Sequence, residues 1–152
     1  MNTLKGDLLK LGSEGRFDVI VHGANCQCVM GAGIAKAIRD TFPEAYQVDL
    51  GTPKGDRAKL GTISFARVQR ERHSLWVVNA YTQLHYRGPG VRVDYDAVRS
   101  AMHLVKQQFA GKRIGYPRLG AGLARGDWSR IAGIIEEELE GEDHALVEYE
   151  AS

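Results

Sequence analysis

Two short segments, Met30-Gly31-Ala32-Gly33-Ile34 and Leu119-Gly120-Ala121-Gly122-Leu123, carry the same Gly-Ala-Gly core at distant points of the chain. Glycine lets backbone N–H groups approach an anion, and a helix that starts behind such a loop adds partial positive charge. Two such loops could clamp a diphosphate between them. Neither is followed by Gly-Lys-Ser/Thr, and Gly31-Ala32-Gly33-Ile34-Ala35-Lys36 lacks the third glycine of the dinucleotide fingerprint, which disfavours a kinase or an NAD dehydrogenase. Just ahead of the first loop stand His22 and Asn25. An imidazole titrates near neutrality and suits general acid or base work, the orientation of a water, or a purely structural hydrogen bond. An amide both donates to and accepts from sugar hydroxyls. Behind the second loop Asp127 offers either a catalytic carboxylate or a helix N-cap. Cys26 and Cys28 are two apart, so in an extended segment they point to opposite faces and cannot bridge each other. Nothing beside them lowers a thiol pKa, so a covalent role is disfavoured, and without further Cys or closely spaced His there is no zinc pattern. No metal and no cofactor is expected.

The elements that must position these residues can be read from periodicity. The run 17–22, rich in β-branched residues and closed by Gly23, reads as a buried strand feeding the first glycine loop. Apolar Ile34, Ala37 and Ile38 then give a helix that ends before Phe42-Pro43. Segments 61–67 and 75–80 read as two strands, with the polar stretch 68–74 as their connection. Over 94–109, Tyr95, Val98, Met102, Val105 and Phe109 recur at steps of three and four, one apolar stripe of a helix. A short strand over 112–117 leads into the second glycine loop. The helix after Asp127 presents Trp128, Ile131, Ile135 and Leu139 on one face, and 145–149 reads as a closing strand. Strands alternating with helices imply a mixed sheet covered on both faces, a three-layer α/β/α sandwich.

Composition sets the limits. The 152 residues are 43% hydrophobic and 26% charged, near globular averages, so one folded domain over 1–152 is expected rather than a disordered or fibrous chain. A net charge of +1 leaves no large basic excess to capture nucleic acid or an acidic membrane. The first residues hold no apolar run that would serve as a signal peptide, no stretch is long enough to span a bilayer, and a cytoplasmic protein is expected. The anomaly is glycine, 18 of 152 residues.

Taken together, Lys5-Gly6-Asp7-Leu8-Leu9, Val21-His22-Gly23-Ala24-Asn25-Cys26, the segment 29–35 and Pro117-Arg118-Leu119-Gly120-Ala121-Gly122-Leu123 resemble the macrodomain family of ADP-ribose-binding modules, over nearly the whole chain. The resemblance implies that Asp7, with Leu8 beside it, accepts the adenine amino group and that Asn25 holds the distal ribose. It implies that Met30, Gly31, Ala32, Gly33 and Ile34 wrap ribose and phosphate on one side, and that Leu119, Gly120, Ala121, Gly122 and Leu123 cradle the diphosphate on the other. Tyr81 and the Gly/Pro-rich segment 84–90 fall near the ligand if the sheet order is as inferred. Arg87 and Arg92 are candidates for a terminal phosphate, against the alternative of ordinary solvated loop residues.

Within the family, His22-Gly23-Ala24-Asn25-Cys26 and Gly120-Ala121-Gly122-Leu123-Ala124-Arg125-Gly126-Asp127-Trp128 resemble the branch of ADP-ribose 1″-phosphate phosphatases and terminal ADP-ribose protein glycohydrolases. The glycohydrolase type uses a lysine and an aspartate. Where the aspartate would follow Gly122-Leu123 this chain has Ala124, and no lysine occurs in 79–83. The resemblance therefore implies phosphate removal from ADP-ribose 1″-phosphate, with His22, Asn25 and Asp127 as catalytic candidates. Release of ADP-ribose from a protein or nucleic acid, and binding without turnover, stay open. The expected partner is ADP-ribose or a derivative, or an ADP-ribosylated macromolecule, and no membrane.

Overall fold

The apolar run Val19-Ile20-Val21 lies in the middle of a sheet, where both faces are covered and hydrophobic residues need not alternate. A computed structural model describes residues 1–151. Its strands are β1 (Asn2–Gly6), β2 (Val19–Asn25), β3 (Ile63–Arg70), β4 (His73–Gln83), β5 (Arg113–Tyr116) and β6 (Asp143–Tyr149). They form one sheet in the order β1-β6-β5-β2-β4-β3. All pairings are parallel except β3 with β4.

Helices cover both faces, as the periodicity predicts. On one face α4 (Tyr95–Phe109) and α5 (Trp128–Glu138) pack Val98, Met102, Val105, Ile131 and Ile135 against Val19, Val21, Val78 and Ile114. On the other, α1 (Leu8–Ser13), α2 (Gly33–Thr41) and α3 (Pro43–Leu50) pack Leu8, Ile38 and Ala45 against Ile20, Val77 and Val147. The period of two along β2 and β4 thus sends odd and even residues into different cores. Among the described residues no helix is long and apolar enough to cross a membrane.

One connection differs from the sequence expectation. The stretch 68–74 is mostly strand: Arg70 pairs with His73, leaving only Glu71 and Arg72 to turn, with Glu71 at φ 43°. Val68 is buried while Arg67 and Gln69 are exposed. The polar look of this stretch is that of an edge strand with one wet face.

Candidate functional site

Five parallel strands end side by side, at Gly6, Tyr149, Tyr116, Asn25 and Gln83, and a cleft opens beyond them, as in other open α/β sheets. It has two adjoining hollows. The proximal one, of about 790 Å³, is lined among others by Asp7, Leu8, Ile34, Glu148 and Tyr149. The distal one, of about 560 Å³, is lined among others by Asn25, Gly31, Gln83, Tyr86, Gly122 and Leu123. Gly33, Ile34, Pro117 and Arg118 border both. These volumes lie in the range of small-molecule sites.

The first wall is built from Asn25. Its Nδ2 donates to the Val29 carbonyl at 2.8 Å and its Oδ1 accepts from the Gln27 amide at 2.9 Å, which fixes the turn below the glycines. Cys28 completes the turn at φ 58°. The N-cap of α2 is Ala32, which has no side chain to accept from the first-turn amides. Those donors need a partner from outside the helix, and Ala32, Gly33, Ile34 and Ala35 all face the distal hollow.

The second wall folds back on itself. The Gly126 amide donates to the Gly120 carbonyl at 2.7 Å, and a Cβ at Gly126 would stand 2.4 Å from that oxygen. Glycine is obligatory there. Gly31 and Gly122 are different. Neither has a left-handed φ; a Cβ on Gly31 would meet only Val29 Cγ1 at 3.8 Å, and one on Gly122 nothing within 4 Å. Both face the distal hollow, so their missing side chains keep two backbone segments open to whatever lies between them.

A further loop supports this wall. The Arg92 amide donates to the Ala124 carbonyl at 2.8 Å, its Nη1 donates to the Gly88 carbonyl at 2.8 Å and its Nη2 to the Leu123 carbonyl. Arg92 is therefore a staple between two loops. Arg87 lies over the Tyr86 ring, 5.2 Å from its centroid. At the rim, Leu123 is 61% exposed and Ile34 38% exposed. Leu123 Cδ1 would lie 3.2 Å from a Cβ on Gly33, so the two walls approach each other through apolar lips.

Of the residues expected at the ligand, Asp7, Leu8, Asn25, Gly31, Ala32, Gly33, Ile34, Leu119, Gly120, Gly122 and Leu123 line the cleft. Asp7 also caps α1, its Oδ1 accepting from the amides of Leu9 and Lys10 at 3.0 and 3.3 Å. Five do not line it. His22 falls on the α3 side of β2, fully buried, with Nε2 2.6 Å from Asn79 Oδ1. Asn79 spends its amide protons on the carbonyl of Ala45 and on Ser64 Oγ, both at 3.1 Å, so its oxygen accepts and His22 carries its proton on Nε2. Burial pushes this imidazole down to about 4. Tyr81 lies on the same side, donating to Asp49 Oδ1 at 2.7 Å, and burial raises its phenol. Asp127 caps α5, its Oδ1 accepting from the Ser129 amide at 3.0 Å. Met30 packs into the core beside α2, and Ala121 turns toward the core under α4 and α5. Burial pushes the Cys26 thiol up, away from the reactive thiolate.

Tyr86, from the segment 84–90 expected near the ligand, does line the distal hollow, whereas sequence reasoning missed Gln83, Arg118, Glu148 and Tyr149, all of which line the cleft. Gln83 becomes visible only through register, since it pairs with Asn25 across β2 and β4. The two amides thus sit opposite each other at the strand ends. Among the described residues lining the distal hollow there is no carboxylate, imidazole or ammonium group. What it offers is backbone N–H groups, two amides, a phenol and the guanidinium of Arg118.

A family model described as Macro domain matches residues 21–135. An uncharacterized 17.5 kDa protein from the tk-vs intergenic region of Enterobacteria phage T4 is 33% identical over 153 residues, covering 97% of this chain and 95% of that protein. The DNA ADP-ribosyl glycohydrolase of Thermus aquaticus is 26% identical over 139 residues, which is 90% of this chain and 37% of that protein. This chain thus spans little more than a third of that relative's length. The solved macrodomain of Thermus aquaticus DarG matches with a TM-score of 0.71 at 25% identity, covering 98% of this chain and 97% of that one.

Proposed function

Since the chain belongs to the Macro domain family, we propose that it binds ADP-ribose in the strand-end cleft and hydrolyses an ADP-ribose conjugate at C1″ of the distal ribose. The observation that carries this reading is the pair Gly31 and Gly122, glycines that neither backbone conformation nor packing requires and that leave two walls of amides facing one gap. A diphosphate fits such a gap, because backbone N–H groups bind anionic oxygens without basic side chains. Adenosine then occupies the proximal hollow, between Asp7 and the exposed ring of Tyr149. The distal ribose meets Asn25 and Gln83, whose amides suit sugar hydroxyls.

The chemistry follows from what surrounds C1″. With no carboxylic acid or imidazolium in the distal hollow, and only the weakly acidic phenol of Tyr86, the lining favours a leaving group that is stable as an anion: a carboxylate, a phosphate or an imide nitrogen of a base. With no carboxylate or imidazole base there either, the attacking water loses its proton late, and the oxygens of the ligand's own diphosphate can take it up. The protein contributes orientation and the fixed dipoles of its loops. The relative in Thermus aquaticus named a DNA ADP-ribosyl glycohydrolase supports release of ADP-ribose from a macromolecule as the first reading. A second reading, removal of phosphate from ADP-ribose 1″-phosphate, is favoured by one feature: no carboxylate lines the distal hollow to repel a dianion.

Parallel turnover assays separate these readings. Free ADP-ribose released from ADP-ribosylated DNA or from ADP-ribosyl-glutamate supports the first, and inorganic phosphate from ADP-ribose 1″-phosphate supports the second. A protein that binds ADP-ribose but leaves every conjugate intact is a reader, and the proposed hydrolysis is then wrong.

A further inference from the structure

The two hollows meet at Arg118, which lies directly after β5 and Pro117 and is the one charged residue that borders both among the described residues. Its Nη2 donates to Glu148 Oε1 at 2.8 Å, and its guanidinium carbon stands 6.0 Å from the centroid of the Trp128 ring. Both members of the ion pair are solvated, at 55% and 35% exposure, so the pair itself holds the fold together only weakly. The contact to Glu148 engages a single nitrogen of the guanidinium fork.

Resting on the reading of the cleft given above, we propose that Arg118 sets specificity for the diphosphate: on ligand entry its guanidinium leaves Glu148 and forks onto phosphate oxygens at the junction of the hollows. The loops supply N–H donors but no net charge, whereas a guanidinium is planar, permanently charged and matched to two phosphate oxygens at once. Glu148 acts in the opposite sense. It competes for the cation in the free protein and keeps a carboxylate at the edge of the proximal hollow. Ligands without phosphate leave the Arg118–Glu148 pair in place, and ligands with a diphosphate exchange it. Discrimination between adenosine and ADP-ribose is therefore written partly in this pair.

The test compares ADP-ribose with adenosine on wild type, Arg118→Gln, Arg118→Lys and Glu148→Gln. Calorimetry reads the tighter ligand and NMR titration the weaker one, with thermal melts to confirm folding. The ratio of the two affinities is the readout, since it cancels any effect on the adenosine half. Arg118→Gln should lower the ratio about fivefold to tenfold at low salt. At 0.5 M salt that loss should shrink to about twofold, because an exposed charge contact is screened. Arg118→Lys should retain part of the ratio, and Glu148→Gln should raise it about twofold. A ratio unchanged in Arg118→Gln, or one that falls in Glu148→Gln, overturns the assignment while leaving the cleft intact. A wild-type protein that binds neither ligand overturns the reading of the cleft itself.

Discussion

At His22 the structure separates a residue that resembles a catalyst from one that behaves as a buried support. The imidazole is sealed under α3, donates to Asn79 and is held down at about 4 by burial, so it is neutral at pH 7. The folded state then binds fewer protons here than the unfolded chain, whose imidazole titrates near 6.5. The stabilising contribution is complete above pH 6.5 and is lost as pH falls from 6.5 through about 4, amounting to roughly 3 kcal/mol. In urea unfolding at several pH values, His22→Gln should lose that slope between pH 6.5 and 4; the same slope as wild type contradicts the assignment. Strand parity hid this from the sequence. Val19, Ile20 and Val21 are all apolar, so nothing local says which face His22 takes. Asn25 is the opposite case, legible both as an amide at a strand end and as part of the glycine loop. Asn25→Ala should weaken ADP-ribose at least about tenfold, through the lost contact and the loosened turn at Val29 and Gln27. Cys26→Ser should leave affinity near wild type. Equal losses in the two variants would show that the amide is not at the ligand.

Among the elements, α4 and α5 were legible because each buries one continuous apolar stripe, and the glycine loops because glycine clusters mark strand-to-helix turns. The helix α3 was not, since its eight residues carry no apolar stripe and begin with Pro43, which reads equally well as a break. The proximal hollow was only half legible. Tyr149 and Glu148 come beside Gly6 and Lys5 through parallel pairing of the first and last strands, a contact with no local signal. Two elements carry predictions. Asp127 caps α5, so Asp127→Ala should cost about 1 kcal/mol of stability and leave turnover near wild type. A turnover loss with unchanged stability would return Asp127 to the catalytic role expected of it from sequence. Arg92 ties loop 84–92 to Leu123 and Ala124, so Arg92→Ala should speed hydrogen exchange of the 123–126 amides about tenfold. It should also weaken distal contacts to the ligand. Exchange as slow as in wild type would mean that the second wall is rigid without its staple.

For the whole molecule, the connection between fold and function is the alignment of five strand ends with two glycine walls and one cleft. The chain has a net charge of only +1, yet the ligand it is argued to hold carries two negative charges. Main-chain dipoles and one exchangeable guanidinium reconcile these facts without a broad basic surface that would also attract unrelated polyanions. The glycine excess is likewise divided: some glycines serve turns, Gly126 serves the closure of a loop, and Gly31 and Gly122 line the gap with no close neighbour that requires a glycine. The most direct measurement is therefore a calorimetric titration of ADP-ribose into wild type and into the Gly31→Ala/Gly122→Ala double variant, with melting temperatures recorded alongside. Neither methyl group meets a close neighbour or a strained φ, so the double variant should melt close to wild type, while its two methyls in the gap weaken ADP-ribose at least about tenfold. A wild-type protein that does not bind ADP-ribose, or a double variant that binds it equally well, would contradict the account.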